Sequence, residues 1–83
     1  MDNIWNEIKN ERQNQDDKWG EQNHNMFIWN TILGEEVGEA NEATLDAHFA
    51  NKGWAHYRDE LIQVAAVAVA IIECLDRNGY VTN

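Results

Sequence analysis

"ELIQVAAVAVAIIECL", Glu60 to Leu75, decides the fold. From Leu61 to Ile72 it carries one polar residue, Gln63, and no charge. Twelve such residues fall short of a bilayer, where about 20 are needed. Read at helical steps of three and four, Tyr57, Leu61, Val64, Ala68, Ile71 and Leu75 make one stripe. Glu60, Gln63, Val67, Ala70 and Cys74 make the stripe beside it. From Val64 onward the helix is apolar nearly all round, the pattern of burial on several sides. A chain of 83 residues buries a modest core by itself. A second subunit is therefore expected to cover part of this helix.

Working outward, this last helix is expected from about Trp54 to Asp76, with "RNG" as its C-terminal stop. "ANKG", Ala50 to Gly53, breaks the chain before it. A second helix is expected from about Met26 to Phe49, with Trp29, Leu33, Glu36, Ala40, Ala43 and Ala47 on one stripe. Gly34 and Gly38 lie inside it, each costing about 1 kcal/mol in a helix interior. Their lack of a side chain suits close approach of a neighbouring helix. "DKWGEQNHN", Asp17 to Asn25, reads as a connection. The first helix runs before it to about Asp16, opened by Asp2 or Asn3 as N-cap, with Ile4, Trp5 and Ile8 on one face. There is no proline, internal repeat or linker. Residues 1–83 thus read as one all-α domain, a small bundle of three main helices completed by oligomerisation, as a homodimer or homotetramer.

Net charge is −9, from fifteen acids and six bases. That disfavours nucleic-acid polymers, which demand clustered Lys and Arg, and it disfavours an anionic membrane surface. It favours cations. Cys74 is the only cysteine and lies in the apolar run, so it is expected buried and inert. No disulfide can form within the chain, and "MDNIWNEIKNER" offers no apolar signal region, so a cytoplasmic location is expected.

"LGEEVGEANE", Leu33 to Glu42, puts four glutamates into ten residues. Glu35, Glu39, Glu42 and Asp46 form an acidic stripe that reads most simply as a solvated face. Glu36 interrupts an apolar stripe, and Glu60 opens a buried one. Counted outward from the loop between the last two helices, Glu36 and Glu39 fall within about a turn, roughly 5.4 Å, of the levels of Glu60 and Gln63. Buried carboxylates are costly unless paired or bound to a cation. Converging oxygens without cysteine suit a hard ion, Mg²⁺ or Mn²⁺. No histidine pair has the spacing of a zinc site. Arg12, Lys18 and Arg58 are the bases best placed to meet phosphates, and each also reads as an ordinary surface charge or salt bridge. Trp19 and Trp29 are candidates to stack on a base, with packing the commoner role. Trp5 and Trp54 read as packing residues, and His24 as a loop residue able to contact a nucleotide.

"EEVGE", Glu35 to Glu39, followed after twenty residues by "ELIQ", Glu60 to Gln63, resembles the signature E-E-x-x-E…E-x-x-D of the MazG-like all-α nucleoside triphosphate pyrophosphohydrolases. "KWGEQNH", Lys18 to His24, and "ELIQVAAVAVA", Glu60 to Ala70, resemble its small phage and bacterial members, so the likeness spans about residues 11–75. The resemblance implies cleavage between the α and β phosphates of a nucleoside triphosphate, giving monophosphate and pyrophosphate. It implies Glu36, Glu39 and Glu60 as Mg²⁺ ligands with Gln63 as the fourth, and Glu35 as a residue that orients water or acts as base. It implies a host cytoplasm for a phage-encoded chain. Gln63 departs from the family's aspartate and removes one negative charge. The alternative is accordingly a degenerate relative that binds a nucleotide or a host protein without hydrolysis.

Overall fold

The computed structural model describes residues 1–80. Three helices follow in order: α1 Asp2–Trp19, α2 Met26–Phe49 and α3 Ala55–Arg77. Among the described residues there is no strand.

The helix ends show which local signals act. At α2 the Oδ1 of Asn25 accepts from the Ile28 N–H at 2.9 Å, so the start is fixed by a side-chain cap. Asn25→Ala is expected to lower stability by about 1 kcal/mol in urea denaturation. The first helix has no such cap. It begins one residue too early for Asp2 or Asn3 to serve, and Met1 holds the N-cap position without a side-chain bond. It also runs three residues beyond Asp16. Asp17 and Lys18 remain helical, and termination waits for Gly20, whose φ of 72° a side chain would oppose. At the end of α3 the Tyr80 N–H reaches back to the Leu75 carbonyl at 3.0 Å, as the "RNG" stop predicts.

The third helix is the central element. It packs against both α1 and α2, whereas α1 and α2 make no close backbone approach to each other. A short turn makes α2 and α3 antiparallel. The seam is built largely from small side chains: Ala40, Ala43 and Ala47 are buried on α2, and Ala66, Val67, Ala70 and Cys74 on α3. At one end Trp29 fills the seam, packed with Ala70, Cys74, Met26, Ile32 and Ile71. The α2 stripe and the α3 stripe through Val67, Ala70 and Cys74 are therefore observed, with Cys74 at 1% exposure, whereas in the other α3 stripe Leu61 is exposed and Tyr57, Val64, Ala68, Ile71 and Leu75 are half-buried.

Other expectations are not met within the single chain. Gly34 and Gly38 face open space, since a side chain at either would touch nothing within 4 Å. Trp5 and Trp54 are more than half exposed, and Trp54 touches Tyr57 edge-on at 5.8 Å. The outer face of α3 leaves Leu61, Val69 and Ile72 exposed. The only residue that α1 buries is Gln15. Polar links hold this helix instead: Arg58 donates twice to Glu7, and Arg12 Nε donates to Glu73 Oε1 at 2.6 Å. Among the described residues no helix is long and apolar enough to cross a membrane.

Candidate metal centre

The hairpin register brings Glu36 and Glu39 of α2 opposite Glu60 of α3. One carboxylate oxygen from each lies within 4.8 Å of the other two. Ions held at 2.0–2.1 Å by opposed ligands separate those oxygens by about 4 Å, so a small inward shift closes the triad on one hard cation. Glu36 is half-buried and Glu39 exposed, while the Glu60 side chain is only 13% exposed. The Oε2 of Glu60 is buried and has no hydrogen-bond partner. A buried carboxylate oxygen without a donor is costly, and a cation is one partner that would offset the cost.

Electrostatics agree with the geometry. Burial raises the Glu36 carboxyl above its ordinary range, and the charges of Glu39, Glu60, Glu35 and Glu11 raise it further. Burial likewise raises Glu60, followed by the charge and close approach of Glu39. His56 opposes this, with its Nε2 at 3.6 Å from Glu60 Oε1. The folded chain thus holds these two protons to higher pH than the unfolded chain does. Their contribution to stability is full below the ordinary value of 4.5 and is lost as pH rises through the raised values. In chelator, the melting temperature is expected to fall as pH rises from 4.5 through the raised values. Saturating Mg²⁺ is expected to flatten that slope, as circular-dichroism melts over a pH series will show. Glu7 titrates with the opposite sign. Its bond to Arg58 holds it below the ordinary value, so its contribution is lost only at lower pH.

The remaining candidates fall elsewhere. Glu35 is exposed and outside the triad, although its charge reaches Glu36. Gln63 is half-buried and lines a groove between α1 and α3, together with Glu11 and Asp59. Arg58 is occupied by Glu7, and Arg12 by Glu73, Gln15 and Asp16. Lys18 lies 4.6 Å from the centre of the Trp19 ring, on an exposed surface. His24 is half-buried and meets Trp29 edge-on at 4.9 Å. Two neighbours of the triad went unread in the sequence. His56 stands four residues before Glu60 and is legible as a helix pair. Glu11 belongs to α1, whose placement no local pattern announces.

Comparison of the chain with protein-family models, with curated proteins and with solved structures finds no match in any of the three.

Proposed function

We propose that the chain is a Mg²⁺-dependent nucleoside triphosphate pyrophosphohydrolase of the MazG-like kind, working as a homo-oligomer. The observation that carries this reading is the convergence of Glu36, Glu39 and Glu60 around the unpartnered Glu60 Oε2. The spacing of the same residues resembles that family's signature. Glu36, Glu39 and Glu60 hold the cation, and the resemblance adds Gln63, one turn of α3 beyond Glu60, as a neutral fourth donor that would turn from the α1–α3 groove it lines. Mg²⁺ or Mn²⁺ bound there supplies charge neutralisation to phosphate oxygens and lowers the pKa of a water. Glu35, on the solvent side and free of the triad, orients that water or takes its proton. The exposed apolar residues of α3, Leu61, Val69 and Ile72, are the surface on which a second copy completes the core. The test is pyrophosphate release from a panel of ribo- and deoxynucleoside triphosphates with Mg²⁺ or Mn²⁺. Release above a Glu36→Ala control supports the reading, and its absence with every nucleotide sinks it.

A second reading, binding without hydrolysis, is favoured by Gln63, which carries no charge, and by the pairing of Arg12 and Arg58 with acids of the chain. Tight nucleotide binding by calorimetry without turnover, and turnover gained in Gln63→Asp, are its expected results.

A further inference from the structure

The face of α2 that turns away from α3 is unlike an ordinary wet surface. Phe27, Thr31, Gly34, Gly38, Leu45 and Phe49 recur along it at helical steps of three, four and seven, with Asn41 in the long gap, and all are exposed. Phe27 at 88% and Phe49 at 76% are the most exposed large apolar side chains among the described residues. The Thr31 hydroxyl donates to the Phe27 carbonyl at 2.9 Å, so its polar end is turned onto the helix itself. The stripe runs about 33 Å, nearly the full length of α2. Contiguous exposed apolar surface of this kind marks an interaction site. Each of the two glycines within it destabilises the helix relative to alanine. A Cβ at either would meet nothing within 4 Å, so no contact inside the chain offsets that cost. What bare backbone does offer is close approach by a second helix from outside.

Charge says what kind of helix that is. Glu35, Glu42 and Asp46 follow one edge of the stripe, and α2 contains no lysine or arginine. The chain's three arginines are paired with Glu7, Asp16, Glu21 and Glu73, all outside α2. Among the described residues the three edge acids make no ion pair. A second copy does not complement this face, because its own α2 brings no lysine or arginine and its net charge is another −9. The copy proposed above covers the outer face of α3, a different surface. We propose that the outer face of α2 docks a basic amphipathic helix of another protein, crossing at Gly34 and Gly38. Its apolar side chains pack between Phe27, Leu45 and Phe49, and its lysines or arginines meet Glu35, Glu42 and Asp46. The docking does not depend on the reading of the acidic triad.

The test titrates a synthetic amphipathic helix into the full chain in chelator while amide resonances are followed by NMR. The peptide is about 22 residues long, the span of the stripe, with leucine and alanine on one face and lysine along its edge. It is expected to shift the Gly34 and Gly38 amides saturably. The same peptide with glutamate for lysine is expected to bind at least about tenfold more weakly. Gly34→Gln combined with Gly38→Gln fills the face with good helix formers and changes no charge. It is expected to raise the melting temperature by about 4–8 °C, yet to weaken the lysine peptide at least about tenfold, read at the Leu45 amide. Phe27→Ala is expected to weaken the peptide about fivefold or more and to move the melting temperature by less than about 4 °C. Equal binding of the two peptides, shifts confined to Leu61, Val69 and Ile72, or no shift at all overturns the proposal. So does a glutamine variant that melts lower than the parent. A glutamine variant that turns a dimer into a monomer in sedimentation also overturns it, by making this face the contact between copies.

Discussion

Glu60→Gln is expected to cut the proposed pyrophosphate release at least about 100-fold while raising the melting temperature of the metal-free protein. The two effects have one origin. The carboxylate is nearly buried beside Glu39 and carries an oxygen with no donor, so its charge works against the fold when no cation is present. An amide removes that charge and donates an N–H to Glu39, replacing repulsion with a hydrogen bond. The expected gain is roughly 1 kcal/mol, which for a chain of this size is about 4–8 °C. On the proposed reading of the triad, the same exchange deletes a direct metal ligand. Changes one shell further out already cost 10–100-fold in metal affinity or activity, so the loss of a ligand itself costs at least that. A thermal melt in chelator and a pyrophosphate assay in Mg²⁺ read the two signs separately. A lower melting temperature with unchanged release would make Glu60 a structural acid and remove the metal centre.

Trp29→Ala is expected to cost about 3–5 kcal/mol. Small domains have only about 5–15 kcal/mol to lose, so the variant is expected to be largely unfolded at 37 °C. The reason lies in the composition of the core. Of the eight buried apolar residues among the described ones five are alanines, and Trp29 is the only large side chain in that set. A seam of alanines has little volume with which to collapse into the void. Trp5→Ala and Trp19→Ala, at more than half exposure, are expected to change stability by less than about 1 kcal/mol. Urea denaturation of the three variants distinguishes one buried anchor from two surface rings. Equal losses in all three would mean that Trp5 and Trp19 are covered in solution by another copy.

The part of this architecture that announces itself in the sequence is the α2–α3 hairpin. The α2 bounds are readable because turn formers up to Asn25 precede a stripe from Trp29 to Ala47 that keeps helical period and is apolar or small except at Glu36, and the Asn25 cap fixes the start. Glu36 was readable because it breaks that stripe, and its meeting with Glu60 follows from counting residues away from a short turn. The first helix was far less legible. Asp17 and Lys18 have loop-like composition, yet the backbone turns only at Gly20, since a helix continues through polar residues until something opposes it. Of the apolar face that Ile4, Trp5 and Ile8 form, only Ile8 is half-buried. Ile4 and Trp5 stay exposed, and the contacts that hold it are Glu7 with Arg58 and Arg12 with Glu73, pairs separated by 51 and 61 residues. Such pairs depend on the folded register and have no signature in either strand of sequence alone. For the same reason Glu11 was missed as a neighbour of Glu36. The two helical glycines misled in the other direction, because a missing side chain permits a close approach without requiring one.

The polar docking of α1 makes the chain uneven in how firmly it is held. Ion pairs at a surface are worth little and weaken with salt, whereas the Trp29 end of the hairpin is excluded from water. Amide protons of α1 will therefore exchange with solvent by a local opening that leaves α2 and α3 folded, and the rate will climb with ionic strength. The hairpin amides around Ala43 and Val67 will exchange only when the whole chain unfolds. The three helices then behave as two cooperative units, one of them detachable, with the acidic triad carried by the unit that stays.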